Sequence, residues 1–224
     1  MSIQQHPRYL MLMSMLTVTF WIICIVCQYR LMPLRGWGDI STADLPYPLL
    51  CLLFDMVAEV YGYQTSRKML WMALISILIF GLSIMFILHL PMPHTLTKDA
   101  WLFNHTLQHV PRLMIFNTAA LILGQYLNLF IFAKFQRLWK GRYFAIRSVL
   151  STLCGDCLTF FIALFGDYWH LMHTSAITLL ILEELFLMYL IASALSLPGS
   201  LCVKFLKKRE PPLNHTPMFN PFQR

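Results

Sequence analysis

The sequence predicts an all-α integral membrane protein of six transmembrane helices with both termini in the cytoplasm, and three observations predict it. Apolar residues make up 58% of the 224-residue chain and charged residues only 12%, against roughly 25% charged in a soluble domain. The apolar residues are gathered into long runs, and about 20 consecutive ones cross the hydrocarbon of a bilayer. The basic residues sit at the ends of those runs and favour one side. With a mean hydropathy of +0.62, the chain has no surface made for water.

The first span runs from about Tyr9 to Tyr29, and no small-residue cleavage motif follows it, so it reads as a helix that stays rather than a leader. The second, about Pro46 to Tyr61, is short and carries Asp55 and Glu59, with Pro46 and Pro48 suiting a helix start. Its length also fits a re-entrant or broken helix. The third covers about Met69 to Leu90 without a charge, the fourth Leu113 to Phe132, and the fifth Ser148 to Phe165. The sixth runs from about Ala176 to Leu197 and can continue toward Leu206. Residues 1–208 thus form one six-helix domain. The tail 209–224, rich in Pro, Asn and Gln, reads as disordered.

Orientation follows from the basic residues, which concentrate on the cytoplasmic side of membrane proteins. The N-terminus, the 2–3 and 4–5 connections and the C-terminus hold 13 of them: Arg8, Arg67, Lys68, Lys134, Arg137, Lys140, Arg142, Arg147, Lys204, Lys207, Lys208, Arg209 and Arg224. The opposite side holds four, Arg30, Arg35, Lys98 and Arg112. The same grouping explains the net charge of +7 without a nucleic-acid partner. In the outer 3–4 connection, Trp101, Phe103 and Leu107 among polar residues fit a short interfacial helix in contact with membrane lipid.

Several motifs carry less than they promise. Cys24/Cys27 and Cys154/Cys157 each match C-x-x-C, yet metal and redox versions of that motif need turns and polar surroundings. All six cysteines fall in apolar runs, where cysteine packs as a small hydrophobe. His94, His105 and His109 read as loop histidines, and the triplets at Asn104 and Asn214 match a glycosylation signal that chance supplies often. No phosphate-binding glycine loop, nucleophile elbow or H-E-x-x-H is present. The chain therefore reads as a non-enzyme with no cofactor and no resident metal.

Function is carried by the polar residues inside the apolar runs. An acid at the centre of a transmembrane helix costs roughly 2.5–3.5 kcal/mol on insertion scales, so such groups mark solute or proton sites by default. The candidates are Asp55, Glu59, Asp156, Glu183 and Glu184, with no basic residue in the same runs to pair with them, though one at a helix end can reach some. Helical spacing places Thr17, Trp21, Cys24 and Gln28 on one face, and Cys51, Asp55, Glu59 and Gly62 on another. Asn117, Gly124, Gln125 and Asn128 share a third; Ser148, Thr152, Gly155, Asp156 and Thr159 share a fourth. Helix–helix packing accounts for the glycines and hydroxyls. The unpaired acids fit a solute cavity better. Amides with paired donors and acceptors suit a planar, hydrogen-bonding molecule, and a titrating acid can couple its movement to protons.

Three stretches resemble one family. Phe54-Asp55-Met56-Val57-Ala58-Glu59-Val60-Tyr61-Gly62 with Arg67 behind it is similar to an acidic TD-x-x-x-E-x-YG stretch. Phe103-Asn104, Pro111-Arg112 and Gly124-Gln125-x-x-Asn128, followed by Phe132 and Lys134, form a second; Ser151-Thr152-Leu153-x-Gly155 forms a third. In this order and spacing they resemble the queuosine precursor transporters, within the group also called vitamin uptake transporters. The resemblance implies secondary import of 7-deazaguanines such as preQ0 and preQ1 across the inner membrane. It implies substrate-binding roles for Asp55, Glu59, Gln125, Asn128 and Asp156, then Glu184 and Gln28. The chain departs from the pattern at Thr159, Met188 and Gln28, where an acid, a lysine and an asparagine are expected. A same-fold carrier of another heterocycle or vitamin, and a non-transporting assembly protein whose polar faces join subunits of a homo-oligomer, are the competing readings.

Overall fold

A computed structural model describes residues 8–28, 30–34, 38–91, 97–108, 110–169 and 173–210. Nearly all of them are helical. Helix α1 (Arg8–Cys27) leads into a small hairpin, β1 (Leu31–Leu34) and β2 (Gly38–Ser41), paired antiparallel with Leu31 opposite Ser41 and Leu34 opposite Gly38. The hairpin runs straight into a 3-10 turn, Thr42–Asp44. Ser41 caps that turn by accepting from the Ala43 N–H at 3.2 Å, and its hydroxyl donates to the Gln28 carbonyl at 2.8 Å. Thr42 donates to the Cys27 carbonyl at 3.0 Å. The segment is thereby tied to the end of α1 and does not loop into solvent.

Helices α2 (Tyr47–Tyr61) and α3 (Tyr63–Leu88) are separated by one residue, Gly62, at φ +91°. That left-handed backbone is open to glycine and strained for other residues. The Ser66 hydroxyl, donating to the Phe54 carbonyl at 3.0 Å, holds the corner. A loop is expected there from the sequence; instead α3 begins at once and carries Arg67 and Lys68 in its second turn. Helix α4 (Thr97–Leu107) is the short helix foreseen in the 3–4 connection, α5 spans Val110–Leu138 and α6 Phe144–Tyr168. The final helix, α7 (Thr174–Arg209), runs 36 residues with Pro198 inside it. It extends past the foreseen end, and the expected disordered tail lies outside the described residues beyond Glu210.

Among the described residues, five helices, α1, α3, α5, α6 and α7, are long and apolar enough to cross a membrane. The sixth expected span is α2. Its 15 residues reach about 22 Å at 1.5 Å per residue, short of the roughly 30 Å hydrocarbon core. Yet α2 is the most enclosed helix: Leu50, Cys51, Phe54, Asp55 and Val57 are all within 1% of fully buried. The other helices surround it and turn apolar residues outward, such as Met72, Leu82 and Phe86 on α3 and Leu182, Leu197 and Leu201 on α7. A surface of that kind needs lipid. The chain is an all-α membrane protein.

Helices α5 and α6 approach most closely where Gly124 faces Gly155. A methyl group at Gly155 would sit 2.8 Å from the Gly124 carbonyl oxygen and 2.9 Å from the Asn128 Cβ. Small residues let backbones meet in this way, as the packing role read from the sequence for these two glycines requires. The closeness also sets the spacing of Gln125 and Asn128 on α5 against Asp156 and Thr159 on α6.

Candidate functional site

Three polar groupings lie along the bundle axis. The first is central and links α2, α5 and α6. The Asp55 carboxylate accepts from the Ser148 hydroxyl in a short contact, from Asn128 Nδ2 at 3.2 Å and from the Thr152 hydroxyl at 3.4 Å. Asn128 also donates to Gln125 Oε1 at 3.4 Å, and Gln125 Nε2 donates to Cys51 Sγ at 3.3 Å. Cys51 Sγ in turn donates to Asp156 Oδ1 at 4.0 Å, and the same oxygen accepts from the Tyr47 hydroxyl at 3.1 Å. Asp55, Gln125, Asn128 and Asp156, expected together from separate helical faces, are thus joined in one buried network. All four are at most 2% exposed.

The second grouping is ionic and lies at the end of the bundle where the basic residues collect. Glu59 accepts from Arg147 at 3.0 Å, from Lys207 at 2.6 Å and from Gln136 at 3.3 Å. The Arg147 side chain is fully buried, lies over the Phe132 ring at 4.9 Å and donates Nε to the Arg142 carbonyl at 2.9 Å. No basic residue of the apolar runs pairs with Glu59; residues at helix ends reach it instead, as the sequence allows for some of the acids. Arg147 falls in the first turn of α6 rather than in the preceding connection, and Lys207 reaches in from the end of α7. Glu59 therefore stands apart from the other candidates. Close by, Tyr9 donates its backbone N–H to Glu210 at 3.2 Å, so the ends of α1, α2, α6 and α7 meet here.

The third grouping surrounds a cavity of about 40 Å³ toward the opposite end, beside the 3-10 turn. Trp21, Cys24 and Gln28 of α1 line it, with Asp44, Tyr47 of α2, Asn117 of α5, Thr159 and Phe160 of α6, and Glu184 of α7. Tyr47 belongs to both this wall and the central network, so the two are continuous. Sites that enclose a small molecule measure roughly 300–1,000 Å³; the cavity as it stands has room for a water or two. Burial pushes the Asp44 carboxyl up to about 7. Glu184 faces the cavity while its neighbour Glu183 lies half-buried.

Four buried oxygens in the central and cavity groupings have no hydrogen-bond partner in the protein: Oδ2 of Asp44, Oδ1 of Asn128, Oδ2 of Asp156 and Oε1 of Glu184. Buried polar groups are normally paired, because an unpaired one costs about 1–3 kcal/mol. The amide oxygen of Asn128 is an acceptor, and the three carboxyl oxygens accept when ionised.

A family model described as "putative vitamin uptake transporter" matches residues 41–198 of this chain. The chain belongs to this family. The match begins at Ser41, where the hairpin meets the 3-10 turn, and ends in α7 at Pro198, so it takes in all three polar groupings except Lys207 and the α1 wall of the cavity. No curated protein and no solved structure matches the chain. Membership makes this membrane protein a transporter family member, and a small molecule its cargo.

Asp44, Tyr47, Arg147 and Lys207 are absent from the sequence-derived candidates, though each takes part in one of the three groupings. Asp44 carried a usable signal, an acid between Ala43 and Leu45 immediately before an apolar helix. The roles of Tyr47, Arg147 and Lys207 depend on which helices are neighbours, and spacing along one helix does not show that. Of the positions that depart from the family pattern, Thr159 lines the cavity and donates to the Gly155 carbonyl at 3.0 Å, while Met188 is buried in the core.

Proposed function

We propose that this chain imports a planar, N–H-rich heterocycle, a 7-deazaguanine queuosine precursor such as preQ0 or preQ1, across the inner membrane by secondary transport. The observation that carries the reading is the set of four unpaired buried acceptors running from Asp44 and Glu184 through Asp156 to Asn128. A deazaguanine offers ring N–H and exocyclic amino donors to such a set, and aromatic faces to Trp21, Tyr47 and Phe160 in the cavity wall. Asp55, Gln125, Asn128 and Asp156 hydrogen-bond the base, with Gln28 and Glu184 at the mouth of the site.

Both termini lie in the cytoplasm in this reading, because basic residues collect where the ends of α1, α2, α6 and α7 meet. The cavity then sits in the outer half, where an imported solute arrives first. The Glu59–Arg147–Lys207 cluster closes the inner end. Glu59 thus acts in the inner gate, and contact with the base falls to the other acids. A same-fold carrier of another heterocycle would use the same acceptors for a different donor pattern.

The test uses a bacterial host that makes no queuosine precursor, lacks its own importer and retains the later enzymes. The chain is expressed there, preQ0 or preQ1 is supplied at low concentration, and queuosine is measured in tRNA. Queuosine is expected with the intact chain, and at least about tenfold less with Asp55→Asn, the loss of one hydrogen bond to a charged group. A well-inserted chain that gives no queuosine from either precursor would overturn the substrate assignment.

A further inference from the structure

Asp44 and Glu184 approach the cavity from distant parts of the chain, one from the 3-10 turn before α2 and the other from the third turn of α7. They are 3% and 1% exposed, both line this space, and each has one buried oxygen without a protein partner. Both residues border the same cavity of about 40 Å³. No lysine, arginine or histidine is among the residues that line the cavity. Two buried carboxyls in such proximity do not both ionise without a counter-charge, so the pair calls for a cation or a shared proton. The remaining wall decides between an inorganic and an organic cation. A hard metal ion asks for a shell of six or so oxygens, whereas this wall is largely aromatic and aliphatic, with Trp21, Tyr47 and Phe160 among its members. Aromatic faces suit an organic ammonium group.

The geometry points to a subsite for a protonated amine on the transported solute, formed by the carboxylates of Asp44 and Glu184 within the aromatic wall of the cavity. The inference rests on the importer reading above and narrows it. Between two deazaguanines, the one that bears an aminomethyl group is charged and the one that bears a nitrile in its place is not. The chain favours the former. The amine spans the two carboxylates and leaves the ring to face Asp156 and Asn128 through Tyr47.

The same host supplies the experiment, with preQ1 and preQ0 offered separately and in competition over a range of concentrations. The intact chain is expected to need at least about tenfold less preQ1 than preQ0 for equal queuosine, the worth of one charge-assisted contact. Asp44→Asn and Glu184→Gln, made separately and quantified in the membrane, are expected to bring that ratio close to one. A second measurement needs no variant: thermal stabilisation of the detergent-purified intact protein by preQ1, preQ0 and sodium chloride. PreQ1 is expected to stabilise at a concentration at least about tenfold lower than preQ0 does. Equal use of the two precursors, or amide variants that lower both in parallel, overturns the amine subsite while leaving the importer reading in place. Stabilisation by sodium with no preference for the amine assigns the carboxylates to a coupling ion and likewise overturns it. Queuosine from neither precursor removes the importer reading and the subsite together.

Discussion

Glu59→Gln removes the negative charge from a fully buried guanidinium, and the resulting loss of stability is large enough to measure. Arg147 donates to Glu59 at 3.0 Å, and both side chains are at most 2% exposed. Breaking a buried pair by removing one partner costs about 3–5 kcal/mol, because the other charge is left uncompensated. Arg147 keeps contacts to the Arg142 and Gly141 carbonyls and the Phe132 ring, which places the expected loss near the lower end, about 3 kcal/mol. The second pair is different in kind. Lys207 approaches Glu59 more closely, at 2.6 Å, but its side chain is 48% exposed, so water already satisfies most of its charge. Pairs of that kind contribute about 0–1 kcal/mol, and Lys207→Gln is expected to cost no more. The double variant Glu59→Gln with Arg147→Met replaces both charges and is expected to recover at least half of the loss from Glu59→Gln alone. Denaturant titration in detergent micelles, followed by the fluorescence of the six tryptophans, reads all four proteins. A cost below about 1 kcal/mol for Glu59→Gln, or one no larger than that of Lys207→Gln, would refute the view that burial decides which pair matters.

Gly155→Ala places a methyl group against the Gly124 carbonyl and the Asn128 Cβ, both fixed by α5, so the helices must separate. The expected cost is about 1–3 kcal/mol, with uptake falling alongside because Asn128 moves with α5; unchanged melting in detergent would count against the close approach. The pH dependence of stability carries the signature of Asp44, whose carboxyl burial pushes up to about 7. Between the usual aspartate range near pH 4 and pH 7 the folded protein holds a proton that the unfolded chain has released. Stability therefore falls as pH rises through that window and levels off above it. The difference between the intact chain and Asp44→Asn, followed from pH 4 to 8 in detergent, is expected to show this fall; a flat difference would mean that Asp44 is not desolvated.

Much of the candidate site was legible because the bilayer makes polar residues costly. Asp55, Gln125, Asn128 and Asp156 were singled out as polar groups on apolar helices, and they lie in one hydrogen-bonded network. Glu59 carried the same signal, yet it serves an ion pair. Hydropathy reports that a charge is buried but not what lies opposite, since Arg147 comes from 88 residues further along the chain. The hairpin at 31–41 was missed for a related reason. Four-residue strands leave no periodic run to detect, and the turn that buries Asp44 is held by the ends of α1 through Gln28 and Cys27.

The sequence by itself determined the solvent of this protein, its helical class, the apolar spans and the polar face of each helix. Those properties follow from composition and from a period of 3.6 residues, and both are local. Only the tertiary structure decided that the short α2 is enclosed by the other helices and that Gly124 and Gly155 bring α5 against α6. It also decided that Glu59 pairs with Arg147 and Lys207, and that Asp44 and Glu184 share a cavity. These are matters of which faces meet. Inside a membrane the hydrophobic effect does not choose between apolar neighbours, so the choice falls to close packing and to a few polar contacts between residues far apart in the chain.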